Sequence, residues 1–255
     1  MKKIVIAFVA AMLLGTSFSA YAQDEIPAEE EAPKKKCPIE GTLGVDLVTN
    51  YLWRGQQNGG VSLQPTAGLG WKGLYLGLWG SFAIAPNDRW TGTQEELDVV
   101  LSYTYKGFHV GVTDYYCFEN GHPFFKYGGE NESAHTFEAN IGYDFGFLSI
   151  NWYTNFAGNV GTNDNGKRMY SSYLELSAPF HLAHLDWTAT LGVVPYHTHY
   201  YSSDDSHGFH INQVALKAEY PFKVRRFNMA AYAQAMVNPS SRNFYFAAGF
   251  SFNVF

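Results

Sequence analysis

The sequence predicts an all-β protein, a transmembrane antiparallel up-and-down β-barrel of about twelve strands. Three observations carry that expectation. Near the C-terminus, Phe244, Phe246, Ala248, Phe250, Phe252 and Val254 fall on one face of an alternating stretch, and Asn243, Tyr245, Ala247, Gly249, Ser251 and Asn253 on the other. Period two is a strand, and one that is aromatic outside and polar inside suits lipid around a wet interior. Composition agrees: aromatic residues make up 17% of the chain and charged residues 16%, against about 25% charged in typical soluble domains. Connection lengths also alternate, with two-residue turns at Lys72-Gly73 and Lys106-Gly107 and a tight Asp144-Phe145-Gly146 turn. Between them lie longer connectors around 54–60, 85–94, 119–134, 157–169 and 195–208. Short periplasmic turns and long external loops are the bacterial pattern.

The elements follow in order. Lys2 and Lys3, the apolar run from Ile4 to Leu14 and the Ala20-Tyr21-Ala22 site read as a cleaved secretory signal peptide over 1–22, too short in its apolar core for a membrane span. Residues 23–41 are rich in Pro and Glu, carry Lys34-Lys35-Lys36 and lack periodicity, as a disordered periplasmic tail would. The barrel is expected over 42–255. Its first strand sets Leu43, Val45, Leu47, Tyr51 and Trp53 outward, with Gly44, Asp46, Asn50 and Arg54 inward. Six further segments alternate in the same way up to Phe156, and later strands run near 170–180, 185–194, 210–220, 227–238 and 243–254. Phe255 falls out of register with its strand, which calls for a bulge or a terminal bend.

Outward aromatics gather at strand ends: Trp71, Tyr103, Tyr105, Tyr143, Trp187 and Tyr220 below, and Trp53, Tyr116, Trp152, Tyr170 and Phe244 above. Two interfacial girdles are what a bilayer requires. A soluble sandwich would alternate too, but has no reason to ring its strand ends with Trp and Tyr. Outer-membrane lipid is therefore the expected surrounding, reached by export. The formal charge of −6 argues against nucleic acid as a partner. Cys37 and Cys117 are separated by roughly 25 Å of barrel height at ~3.3 Å per residue, too far for a disulfide, which needs Cα atoms within ~7 Å.

The segment Asn50-Tyr51-Leu52-Trp53-Arg54-Gly55, followed after a long loop by Glu96-Leu97-Asp98, resembles the TorF-like family of bacterial outer-membrane porins. That resemblance implies an outer-membrane barrel of the solute-conducting kind, without a defined substrate. It covers the layout of most of the mature chain but only these short stretches in residues.

The expected pore lining comprises Asp46, Arg54, Tyr75, Trp79, Glu96, Asp98, His109, Tyr115, Glu138, Tyr153, Glu175 and Lys217. Carboxylates outnumber cations in this set, so a water-filled lumen would prefer small cationic solutes. The same groups could instead pair with one another and fill the barrel, since twelve strands lie between packed and open sizes. Inward Tyr75, Trp79, Tyr115, Tyr153, Tyr173, Tyr232 and Tyr245 serve either as stacking surfaces for planar solutes or as space filling. Catalysis on the lipid face would need a Ser–His pair, but Ser172, His135 and His210 fall on separated strands, and no enzyme is expected. A weak metal candidate is the loop with His197, His199, Asp204, Asp205 and His207. No cofactor is called for, and oligomeric state is left open. The alternative to a channel is a non-conducting barrel acting through its long external loops.

Overall fold

The computed structural model describes residues 38–84, 95–118, 121–196, 198, 200–201 and 208–254. The signal peptide, the tail up to Cys37, the metal-candidate residues His197, His199, Asp204, Asp205 and His207, and Phe255 lie outside the described residues.

Twelve strands close into one antiparallel barrel. They are β1 (Ile39–Val48), β4 (Ser62–Trp71), β5 (Leu74–Ala83), β6 (Glu96–Tyr105), β7 (Phe108–Cys117) and β8 (His135–Asp144). The ring continues through β9 (Ser149–Gly158), β10 (Ser172–Leu182), β11 (Leu185–Val194), β12 (His210–Val224), β13 (Phe227–Asn238) and β14 (Asn243–Asn253). Each pairs with its neighbours in sequence, and β14 returns to β1. That closing seam pairs Gly44–Val48 with Gly249–Asn253, whereas β1 pairs with β4 along its whole length from Ile39 to Val48. The first strand thus begins at Ile39, three residues before the expected start of the barrel.

Local chemistry explains the turns. Lys72 and Gly73 have φ of 49° and 88°, Lys106 and Gly107 of 50° and 83°. Positive φ at both central residues is the mirror-image turn whose twist matches that of paired strands. The same geometry recurs at Ala183 and His184.

The middle band of the outer wall is apolar and uncovered. Leu69, Leu76, Leu101 and Val112 are successive cross-strand partners, and the three leucines are 61%, 54% and 51% exposed. A continuous belt of this kind is stable only in lipid. Leu101→Arg is therefore expected to cost about 2–4 kcal/mol near mid-membrane, read as a shift in unfolding midpoint in lipid vesicles. Arg at inward-facing Ser102 is expected to cost far less, and equal effects would contradict the assignment of faces. Inside, aromatic rings lie over glycines of adjacent strands: a Cβ on Gly68 would stand 2.3 Å from the Tyr75 hydroxyl, and one on Gly249 2.6 Å from the Tyr232 ring.

Lower girdle residues Trp71, Tyr103, Tyr105, Tyr143 and Tyr220 are exposed as expected, as are Trp152, Tyr170 and Phe244 above. Two expected upper girdle members are placed otherwise. Tyr116 is buried because the connector from β7 to β8 folds back on the outer wall. Rings of Phe118, Phe124 and His135 stand 4.8, 5.0 and 5.0 Å from its ring, and its hydroxyl donates to the His122 carbonyl at 2.6 Å. Trp53, with Tyr51, points into the barrel rather than to lipid. The first strand ends at Val48, and the chain then forms a separate hairpin, β2 (Tyr51–Trp53) and β3 (Gln56–Gly59), which pairs only with itself.

Candidate functional site

The β2–β3 hairpin is where the sequence, the fold and the lumen meet. After Val48 the chain stays on the wall for two residues: Thr49 N donates to the Ala248 carbonyl at 2.9 Å and Asn50 Nδ2 to the Phe246 carbonyl at 2.7 Å. It then turns inward. Arg54 and Gly55 form the tip, with φ of 44° and 80°, again the mirror-image turn.

The barrel holds the tip through side chains. Asn212 Nδ2 donates to the Arg54 carbonyl and Asn238 Nδ2 to the Gly55 carbonyl, each at 2.9 Å. Lower on the hairpin, the Tyr51 hydroxyl donates to Glu96 at 3.0 Å. Glu96 is on β6 and Asn212 on β12, which stand opposite each other in the ring with five strands between them on either side. The hairpin therefore bridges the interior from wall to wall at the end bearing the long connectors.

The Arg54 side chain is the centre of the site. Its guanidinium donates to Glu138 through both Nη atoms, Nη2 to Oε1 at 2.9 Å, and Nη1 also donates to the Tyr201 hydroxyl at 2.7 Å. Tyr115 and Tyr201 donate to the same carboxylate at 2.9 and 3.1 Å. Glu138 is 0% exposed and fully satisfied. Around the guanidinium stand the rings of Tyr153 at 3.9 Å, Trp53 at 4.7 Å, Tyr173 at 5.0 Å and Tyr201 at 5.7 Å. A fork-on-fork pair walled by π faces suits guanidinium better than ammonium.

Burial is the largest influence on the Arg54 pKa and lowers it, but Glu138, through its charge and its hydrogen bonds, together with Tyr201 and Tyr115 holds the group well above its ordinary value. Burial pushes the Tyr201 hydroxyl up, Arg54 opposing and Glu138 reinforcing, so that it remains a donor. Burial and the charge of Glu96 do the same for Tyr51.

Asn212, which holds the tip, and Glu138, which holds the guanidinium, both lie at register irregularities. The β11–β12 register jumps between Gly192 and Val193, leaving Asn212 as the extra residue. The bulge turns both Asn212 and Gln213 inward, where Gln213 accepts from the Tyr173 hydroxyl at 2.8 Å. The β8–β9 register jumps between Phe137 and Glu138.

Of the expected lining, Arg54, Tyr115, Glu138 and Tyr153 converge on this cage. Glu96, Asp98 and Trp79 gather beneath the hairpin: the Tyr51 and Trp79 rings are 5.4 Å apart, and Asp98 is hydrogen-bonded to Glu96. Asp46 and Lys217 belong to a third group nearer the short turns, where Lys217 contacts Glu219 at 2.7 Å and stands 4.3 Å from the Tyr232 ring centre. Asp46 bonds Ser251. His109 lies over Gly142 and Tyr75 over Gly68, while Glu175 is half-buried on β10. Sequence reasoning missed Tyr51, Trp53, Tyr201, Asn212 and Asn238. Thr49, a polar residue in an outward slot, was the available sign that the first strand ends early.

On the lipid side, the hydroxyl of Ser172 bonds Thr154 and Tyr196 at 2.8 and 2.9 Å. His135 bonds Asp114 at 2.8 Å and the Phe124 carbonyl. The Ser and His considered for catalysis thus engage different partners.

The chain belongs to the family described as "Bacterial protein of unknown function (Gcw_chp)", whose model matches residues 32–243. The match does not extend to the TorF-like name. No curated protein shows significant similarity to the chain. Among solved structures, the chain is similar to an outer-membrane channel from Pseudomonas putida F1, at 11% identity, covering 88% of this chain and 99% of that one with a TM-score of 0.40. It is also similar to the Salmonella typhi outer membrane phospholipase (OMPLA) dimer with bound calcium, at 10% identity, covering 84% and 89% with a TM-score of 0.38. Neither likeness says what passes through or reacts at this barrel.

Proposed function

We propose that the protein is a narrow outer-membrane channel for passive diffusion of small solutes, with an acidic lumen that prefers cations and a constriction formed by the β2–β3 hairpin. The observation carrying this reading is the interior itself. It is lined by carboxylates, amides and tyrosines, and crossed by a hairpin that hydrogen-bonds to the opposite wall mainly through side chains. A barrel stabilised solely by packing has little use for so polar an inside, since each buried charge must be paired at a cost in desolvation.

Export through a cleaved signal peptide and residence in the outer membrane belong to the same reading. Planar-bilayer recording under a salt gradient tests it: the mature protein is expected to give a small, stable, cation-selective conductance. Asp98→Asn combined with Glu96→Gln is expected to move the reversal potential toward zero while leaving the channel open. A folded barrel that passes no current would favour the second reading, a non-conducting barrel acting through its long external connectors, which the tightly held hairpin also suits.

A further inference from the structure

We infer that the pocket formed by Glu138, Tyr115, Tyr153, Tyr173 and Tyr201 is a binding site for guanidinium-bearing solutes, occupied at rest by the protein's own Arg54. As a site on a solute's route it rests on the channel reading above; as a binding site it does not.

The argument begins with who builds the pocket. Glu138, Tyr115, Tyr153 and Tyr173 come from β8, β7, β9 and β10, and Tyr201 from the connector between β11 and β12. Only Trp53 is supplied by the hairpin. The walls therefore exist independently of the residue they enclose, and Arg54 stands to them as a tethered ligand. Tyr173 and Tyr201 are themselves fully buried and pack against each other with ring centres 5.3 Å apart. Tyr173 is fixed by Gln213, and Tyr115 is held on Glu138.

The chemistry of the walls selects the occupant. A carboxylate presenting both oxygens to two nitrogens at once fits a planar fork, and tyrosine faces within ~6 Å add cation–π attraction. A compact, strongly hydrated ammonium ion can use only one of those oxygens well, and loses more hydration. Glu138 left without a cation would be a buried, uncompensated charge, so the empty pocket should draw in a guanidinium ion from solution. Its place at the end with the long connectors gives access from outside.

The test uses the full mature protein carrying Arg54→Ala, refolded in detergent, with folding checked by the mobility difference between unheated and heated samples on a gel. Methylguanidinium chloride is titrated against sodium chloride at constant ionic strength, and the thermal unfolding midpoint is read. The expected result is a saturable rise, half-complete on the order of millimolar concentration for so small a ligand. Methylammonium is expected to be roughly tenfold weaker. Wild type should not respond over this range, because tethered Arg54 competes at a high effective concentration. Arg54→Ala with Glu138→Gln should not respond either.

No saturable rise in Arg54→Ala, an equal response to methylammonium, or an equal response in the double variant would overturn the inference. Should Arg54→Ala refold poorly, its refolding yield is titrated instead: recovery by methylguanidinium and not by sodium supports the site, and no recovery overturns it. Wild-type conductance is recorded separately. A conducting barrel whose Arg54→Ala form ignores guanidinium loses the binding site and keeps the channel. A silent barrel whose variant binds guanidinium keeps the site and loses the channel.

Discussion

Arg54→Met is expected to lower stability by about 3–5 kcal/mol, the typical cost of removing one partner of a buried ion pair. The size follows from Glu138, which lies fully buried and takes both of its ionic hydrogen bonds from Arg54. Tyr115 and Tyr201 still donate to it, but neutral hydroxyls do not compensate a charge in a low-dielectric setting. Adding Glu138→Leu should recover most of the loss, because the pair itself contributes little beyond its own desolvation. Urea unfolding of the two variants in lipid vesicles measures this. If the single variant costs no more than about 1 kcal/mol, the range of an exposed pair, Glu138 does not depend on Arg54 for its charge compensation.

The second large effect is expected at Gly55. Its φ of 80° is a conformation in which an L side chain costs about 1–2 kcal/mol. Space is also lacking: a Cβ there would lie 1.9 Å from the Asn212 carbonyl oxygen, a backbone atom of the wall. Gly55→Ala must push the tip away from β12 and β13, breaking the bonds from Asn212 and Asn238, without altering any charge. The barrel is expected to fold, since the hairpin pairs only with itself. Single-channel conductance should then rise severalfold over wild type. Unchanged conductance, in a variant whose hairpin has lost protection in hydrogen exchange, would mean that the constriction lies elsewhere. Comparison with Arg54→Met separates loss of charge from loss of fit.

The barrel was legible in the sequence because one physical demand repeats twelve times: outward slots must be apolar and inward slots polar. Leu69, Leu76 and Leu101 obey it, as do the turns at Lys72-Gly73 and Lys106-Gly107. The hairpin was not legible because it keeps the same parity. Tyr51 and Trp53 continue the spacing of Leu43, Val45 and Leu47, so alternation alone cannot distinguish a ring facing lipid from one turned into the lumen. Only Thr49 breaks the outward series.

Position β12 shows the same limit differently. Ile211 and Val214 are both outward-facing and three residues apart, a spacing that betrays the bulge at Asn212, yet nothing in the sequence says that its amide meets the Arg54 carbonyl. The pairing of Arg54 with Glu138 joins residues far apart in the chain, and only closure of the ring makes them neighbours. Tyr116 and His135 were placed correctly on the outer face. Their burial depends on a connector without periodicity, where alternation carries no information.

The seam between β1 and β14 has a kinetic consequence. It joins the two ends of the folded chain, so it carries the largest loop-closure entropy of any pairing in the barrel. In return it forms a shorter ladder than β1 makes with β4. Long-range pairings with low return form late, so an open, curled sheet should precede the cylinder during assembly. The hairpin leaves β1 beside this seam and is anchored to β14 through Thr49 and Asn50. Joining the two edges therefore also encloses the hairpin, and an intermediate arrested before that step would present Arg54 to solvent while every other hairpin of the sheet had already formed.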